Sequence, residues 1–199
     1  SFDIAHSANK LWIYDINNLV EYNITLTPWT ASIVGIKPWP SGFKPSKGLV
    51  AQSDIFLVAG DATSNPIQIC RMNVSVTPVV IYRSFFLQTG REVYGDFMLT
   101  TSNKLLVLTK EINLPKRSYV SQWDLLSGIL EFDYEITSTI PNPSALFTYN
   151  NEMYIVNNNG TSSDIYKMSI NPPFTLTFYD NQSREWQGAS QLIDCDNLN

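Results

Sequence analysis

The chain has little of the chemistry on which many enzymes depend. It contains two cysteines, Cys70 and Cys195, and one histidine, His6. Two cysteines are too few for a disulfide scaffold, and their spacing does not fit a metal site. The sequence also lacks a glycine-rich phosphate loop, a dinucleotide-binding fingerprint and a zinc pattern. We therefore expect no cofactor and no metal, while pairing of Cys70 with Cys195 stays open.

Positive charge and long apolar runs are also scarce. The 13 Lys and Arg are outnumbered by 18 Asp and Glu, so the formal net charge is −5. That sign is wrong for a nucleic-acid-binding surface. No segment approaches the roughly 18 consecutive apolar residues of a membrane helix. We expect neither nucleic-acid binding nor membrane insertion. Since the first residues show no signal peptide and no initiating Met, we interpret the chain as a mature or excised piece of a longer protein.

Apolar residues, aromatic residues and small polar residues are plentiful. Hydrophobic residues make up 44% of the chain and aromatic residues 13%, beside 18 Asn, 20 Ser and 15 Thr. Such a chain has enough apolar surface to fold. Aromatic strands joined by polar turns favour β-structure over helices.

A polar turn followed by an apolar strand occurs four times. The four segments are 9–14, 53–58, 103–108 and 151–156, with sequences NKLWIY, SDIFLV, NKLLVL and NEMYIV. Their starts are separated by 44, 50 and 48 residues. This period is typical of a propeller blade and is too long for ankyrin, tetratricopeptide or leucine-rich repeats.

Other strand-like segments recur in phase with these strands, which we call strands b. A strand a precedes each b, and an alternating strand c and a strand d follow it. The pattern predicts an all-β fold, a β-propeller with about four blades of four-stranded antiparallel sheet. The predicted units are about 1–46, 47–93, 94–141 and 142–185. Residues 186–199 would close the ring or begin a further blade of a larger propeller. A two-sheet sandwich is the alternative, but it does not explain the repeat.

Three segments in the first third of the chain resemble the sequences of a known protein family. They are residues 1–12, 21–30 and 38–43, with sequences SFDIAHSANKLW, EYNITLTPWT and PWPSGF. They resemble propeller-type repeats of tail and appendage proteins of bacteriophages that infect Bacteroidetes-like bacteria. The resemblance implies a binding role at a virion or an extracellular surface, and it supplies no catalytic residue.

The predicted strand order separates long loops from short turns. The a–b and c–d turns lie on one face, the short-turn face, and the b–c and d–a loops lie on the opposite long-loop face. Variable loops on a rigid scaffold are the usual place for recognition. The candidate ligand-binding residues there are Trp39, Phe43, Lys44, Arg91, Tyr94, Lys116 and Arg117. Alternatively, Trp39 lies under its own loop and the cations are ordinary solvated surface.

These observations favour a non-catalytic propeller module that binds a surface glycan or protein, displayed in an oligomeric assembly. The alternative function is a glycoside hydrolase, which needs two carboxylates roughly 5–10 Å apart. The candidate carboxylates are Asp3, Asp54, Asp96 and Glu152, and His6 is at most a lone base.

Two groups of Asn and Asp offer oxygen ligands that calcium could use. They are Asp61 with Asn65, and residues 157–159 with Asp164. Their spacing does not match an EF-hand loop, and such groups commonly form turns.

Overall fold

The protein folds into four sheets of four strands each. The structure is a computed structural model that describes residues 3–52, 55–60, 66–100, 103–150, 152–169, 171 and 173–186. These residues form sixteen β-strands and no helix. Each sheet is an antiparallel meander of consecutive strands, and the sheets stand around one axis as a four-bladed β-propeller in which the first blade packs on the second, the second on the third and the third on the fourth. The predicted fold class is confirmed.

The strands of each blade follow in the order a, b, c, d. Blade 1 contains β1 (Ile4–Ser7), β2 (Lys10–Tyr14), β3 (Asn18–Leu26) and β4 (Trp29–Pro38). Blade 2 contains β5 (Pro45–Gln52), β6 (Ile55–Gly60), β7 (Gln68–Asn73) and β8 (Val80–Phe86). Blade 3 contains β9 (Arg91–Leu99), β10 (Lys104–Glu111), β11 (Ser118–Asp124) and β12 (Leu130–Glu135). Blade 4 contains β13 (Pro143–Tyr149), β14 (Glu152–Asn158), β15 (Ser163–Met168) and β16 (Leu176–Gln182). Strands a are innermost, since β1 contacts β5, β5 contacts β9 and β9 contacts β13.

Strand β10 shows why strands b are continuously apolar. Leu105 and Val107 belong to the core between blades 2 and 3, whereas Leu106 and Leu108 belong to the core between blades 3 and 4. Successive side chains of a strand point to opposite faces, so a strand covered on both sides needs apolar residues at every position. A third core joins blades 1 and 2 and includes Trp12, Tyr14, Leu49, Phe56 and Val58.

Strands d and a extend farther into the long loops than the sequence predicts. The sequence predicts d–a loops over 35–47 and 88–95, but β4 continues to Pro38, β5 begins at Pro45 and β9 begins at Arg91. That expectation is wrong for Arg91 and Tyr94, which lie on a strand. Gly95 interrupts the apolar pattern, yet its φ of 143° and a register shift between Val107 and Thr109 keep β9 paired with β10. A Cβ at Gly95 would lie 2.8 Å from Leu108 Cδ1.

Two predictions concern residues outside the described part of the chain. Cys70 is buried in the core between blades 1 and 2, where burial raises the pKa of its thiol to about 11. Its possible partner Cys195 lies outside the described residues, as does the predicted closing segment after Trp186.

In the described ranges, no helix is long and apolar enough to cross a membrane.

Replacement of a leucine between two blades should destabilise the fold strongly. Leu106 is fully buried, and the change Leu106→Ala leaves a cavity between blades 3 and 4. We expect the free energy of unfolding, measured by urea denaturation, to fall by about 2–5 kcal/mol. The control is Leu126→Ala, at a position 63% exposed, where we expect a change of less than about 0.5 kcal/mol. Equal effects of the two substitutions would contradict this packing.

Candidate functional site on the long-loop face

Trp39 and Phe43 hold their loop against the blades. Trp39 is only 7% exposed, and its indole N–H donates to the backbone oxygen of Asp15 at 3.0 Å. Its ring lies 5.8 Å from that of Tyr14 and 5.5 Å from that of Phe43, measured between centroids. The structure therefore places Trp39 under its own loop, the alternative that its sequence context left open. Lys44, at the end of this loop, is exposed.

Arg91 and Arg117 are paired within blade 3. The Arg91 guanidinium donates to both carboxylate oxygens of Asp133, at 2.9 and 2.8 Å, and lies 3.4 Å from the centroid of the Tyr119 ring. Arg117 forms an ion pair with Glu111 at 2.8 Å. Lys116 is exposed in the intervening loop. Arg91 and Arg117 would have to give up these partners before binding a ligand as bare cations.

Tyr94 lines a cavity near the propeller axis. The cavity has a volume of about 320 Å³ and lies where β5, β9 and β13 begin. Its walls are formed by Lys47, Tyr94, Asn142, Pro143, Ser144, Asn158, Gly160 and Glu185. Of the seven predicted ligand-binding residues, Tyr94 alone is among these wall residues.

Two lysines flank the Tyr94 ring. The Nζ of Lys47 lies 5.1 Å from the ring centroid, and the Nζ of Lys110 lies 4.6 Å from it. Lys110 is nine-tenths buried and donates to the Pro141 backbone oxygen at 2.8 Å and to Asn142 Oδ1 at 3.0 Å. Burial lowers the pKa of Lys110. Lys110 is held by these bonds and is not one of the wall residues. Lys47 therefore supplies the ammonium group of the cavity wall.

Polar side chains of blade 4 complete the wall. The Ser144 hydroxyl oxygen is buried and has no hydrogen-bond partner among the described residues. Asn158 donates to the Trp186 backbone oxygen at 2.8 Å, and Glu185 accepts from the Gly160 backbone N–H at 3.0 Å. The cavity thus combines an ammonium group, a phenol, a hydroxyl, amides and one carboxylate.

Asp3 and Asp96 each stand one residue before a strand-a residue that pairs with the third apolar position of strand b, Ile4 with Ile13 in blade 1 and Phe97 with Val107 in blade 3. Both are buried, at 4% and 0% exposure. Asp3 accepts hydrogen bonds from the backbone N–H of Ile4 at 2.8 Å and of Gly48 at 2.9 Å. Asp96 accepts from the N–H of Phe97 at 2.7 Å. Asp3 therefore links blade 1 to blade 2, a structural task.

The other candidate carboxylates lie elsewhere. Glu152 opens β14 on the short-turn face, accepts a hydrogen bond from the Tyr154 hydroxyl at 2.9 Å and pairs with Lys167. Asp54 lies outside the described residues. His6 is buried in β1. Asp3 and Asp96 are thus at the opposite end of the blades from Glu152.

The Asn and Asp group of blade 4 forms hydrogen bonds within itself. Asn157 donates to Asn159 at 2.8 Å, Asn159 donates to Asp164 at 2.5 Å, and Asn181 donates to Asp164 at 2.7 Å. These bonds connect the b–c loop to strands c and d. Asp61 and Asn65 lie outside the described residues, and among the residues that are described no cluster of three His, Cys, Asp or Glu could hold a metal.

A second concavity opens on the short-turn face between blades 1 and 2. It has a volume of about 840 Å³, and its wall includes Trp12, Glu21, Lys37 and Phe56. Glu21 is 2% exposed and forms ion pairs with Lys10 and, at 2.6 Å, with Lys37. Burial acts to raise the pKa of Glu21, but hydrogen bonds from both lysines hold it below its ordinary value. The charges of this cleft satisfy one another, and the Trp12 indole N–H on its wall is buried without a hydrogen-bond partner among the described residues.

Sequence reasoning missed Lys47 and Ser144. Lys47 is the last residue of the predicted d–a loop 35–47, and Ser144 stands in a segment rich in serine and proline with no distinctive pattern. Their available signal is positional, since each stands next to the start of a strand a, the end that faces the long-loop side of the axis.

Comparison with solved structures shows similarity to other proteins at low sequence identity. The AztD protein of Citrobacter koseri is 14% identical over 93% of this chain and 47% of its own, with a TM-score of 0.47. A functionally unknown protein from Desulfotomaculum acetoxidans is 14% identical over 92% and 55%, with a TM-score of 0.49. A neuraminidase-like protein from A/bat/Guatemala/164/2009 is 10% identical over 88% and 53%, with a TM-score of 0.47.

The chain spans about half the length of these structures. No protein-family model and no curated protein matches it. The geometry of the four blades by itself defines the class of this protein, which is the β-propeller.

The buried Asp3 carboxyl should make stability depend on pH. Burial raises its pKa from 3.8 to about 7, although hydrogen bonds from Ile4, Gly48 and Leu49 oppose the shift. The folded state therefore holds this proton more tightly than the unfolded chain. The resulting stability is fully present below pH 3.8 and is lost as the pH rises through 7.

We expect the free energy of unfolding to fall by up to roughly 1 kcal/mol per pH unit across this window because of Asp3. Urea denaturation at a series of pH values measures the slope. In the Asp3→Asn variant, which has no proton to release, this part of the slope should vanish. Identical slopes in both proteins would exclude Asp3 as the cause.

Proposed function

We propose that this protein is a non-catalytic β-propeller attachment module that binds the end of a surface glycan in the axial cavity of the long-loop face. The observation that carries the proposal is that Lys47, which brings an ammonium group, and Ser144, whose hydroxyl has no hydrogen-bond partner among the described residues, line the same cavity. A sugar supplies hydroxyl oxygens that accept from the ammonium and hydroxyl protons that the wall oxygens can accept. A volume of about 320 Å³ is at the small end of ligand pockets, which suits a terminal residue.

The environment of the carboxylates supports binding over hydrolysis. Glycoside hydrolysis requires one carboxyl as acid and a second as nucleophile or base, both open to the sugar. Asp3 and Asp96 are buried and accept backbone hydrogen bonds, while Glu152 is paired with Lys167 on the other face. A protein ligand is the second candidate, favoured by the exposed side chains of Lys44, Lys116 and Leu114 on loops of the same face.

The same proposal includes where the module is located and how many copies of it are displayed together. The resemblance to phage appendage repeats favours an extracellular or virion surface. Single-site binding in a small cavity is weak, and display of several copies raises the overall affinity because later contacts are intramolecular.

The test is retention of the purified chain on a panel of bacterial surface polysaccharides, with new reducing ends measured in the same samples. Lys47→Ala removes the ammonium, and we expect retention to fall at least about tenfold, the loss typical of a charge-assisted hydrogen bond. Tyr94→Ala should act in the same direction. The matched control is Lys167→Ala, which removes an exposed lysine on the short-turn face.

Three results would count against the proposal. Retention that falls equally in the Lys47 and Lys167 variants would place binding elsewhere. New reducing ends would show hydrolysis and return attention to Asp3 and Asp96. Absence of retention on every polysaccharide, with capture by a purified surface protein, would favour the protein ligand.

A further inference from the structure

Blade 1 presents an apolar face that points away from blade 2. Directly paired residues of antiparallel strands point to the same side of a sheet. Trp12 and Tyr14 of β2 point into the core with blade 2, so the residues that alternate with them point the other way. Two cross-strand rows lie on that other side, which we call the free face of blade 1: Leu11, Tyr22 and Ile33, and Ile13, Val20 and Ile36.

Among the described residues, those of the free face are more exposed than the corresponding residues of the other blades. The residues that strands b of blades 2, 3 and 4 direct to the preceding blade are at most 3% exposed: Phe56 and Val58, Leu105 and Val107, Met153 and Ile155. On the free face, Leu11 and Ile13 are only partly buried, and Ile33 and Ile36 are 60% and 59% exposed. Contiguous exposed apolar surface marks an interaction site.

Blade 4 carries the complementary half of a blade interface. On its side away from blade 3, Ala145, Tyr154, Val156 and Ile165 form a separate cluster against Phe147 and Trp186. Tyr179, 57% exposed, contacts Tyr154 at 5.0 Å between ring centroids. Within the described residues, this cluster includes no residue of blade 1.

Trp186 marks this side of blade 4 as one that receives another blade. Its backbone N–H donates to the side-chain Oγ of Ser163 at 3.0 Å at the start of β15. The backbone N–H of Trp39 likewise bonds to the region just before strand c of its blade, at 3.3 Å from the backbone oxygen of Asn17. Trp39 follows the outer strand of blade 1 and fills the core between blades 1 and 2, and Leu87 does the same between blades 2 and 3. Trp186 also follows the outer strand of its blade, although it stands four residues after Gln182, the last residue of β16, and packs in the cluster on this side of blade 4.

We propose that two copies of this chain associate head to tail, with blade 4 of each copy packed on the free face of blade 1 of the other. The two faces are the two halves of the interface that already occurs three times inside the chain, so a second copy supplies the matching surface. Such an interface joins different patches, and it closes when two copies satisfy both patches at once.

The mass of the purified chain in solution tests this association. Light scattering after gel filtration, repeated over a range of concentrations, should give twice the monomer mass of 22.5 kDa. The double substitution Ile33→Glu with Ile36→Glu puts two charges on the free face and should return the mass to 22.5 kDa. Both positions are exposed in the single chain, so circular dichroism should show an unchanged fold.

Two further variants define the geometry. Phe86→Glu changes a residue 53% exposed on the outer strand of blade 2, whose two faces are covered within the chain, and should leave the pair intact. Tyr179→Glu should break the pair from the other side. A mixture of the Ile33/Ile36 variant with the Tyr179 variant should associate again, because one interface then has both natural faces.

Several outcomes would overturn the proposal. These are a wild-type mass of 22.5 kDa at every concentration, a mass above that of two copies, and a pair that survives either the isoleucine substitutions or Tyr179→Glu. Survival with the Tyr179 substitution alone would show that two free faces of blade 1 pair with each other.

Discussion

The structure depends on covering both faces of each four-stranded sheet with the faces of its neighbours. A sheet that is apolar on both sides is not stable by itself in water. In β10, Leu105 and Leu106 point to opposite sides, and each meets a different blade. The blades therefore stabilise one another through contacts between residues distant in the chain. The same requirement makes the free face of blade 1 conspicuous, since its neighbour is missing among the described residues.

The convergence of the inner strands creates the site. Where strands a begin, backbone N–H groups of adjacent blades lie close together, and Asp3 accepts hydrogen bonds from Gly48 across the boundary. Beside this bonded layer the strand starts leave a cavity with Lys47, Tyr94 and Ser144 on its wall. The buried layer serves stability, and the cavity wall is where we propose that the ligand binds. This division explains why carboxylates near the axis do not by themselves indicate catalysis.

The repeat of turn and apolar strand was sufficient to predict the architecture, because each blade repeats the same packing problem. It was less informative about the long-loop face. Arg91 looked available in the sequence, but Asp133 and Tyr119 engage it within blade 3. Trp39 looked like a binding anchor and is part of a core. Bulky or charged residues on predicted loops do not reveal which partners they find within the fold.

The sequence by itself determined the all-β class, the four blades of four strands and the apolar character of strands b, since these follow from local periodicity and from the repeat. The tertiary structure alone decided which polar residues meet near the axis and which apolar face is left uncovered. Lys47, Tyr94 and Ser144 come from three different blades, and their side chains reach one cavity only because strands a converge. Periodicity within a blade contains no information about that convergence.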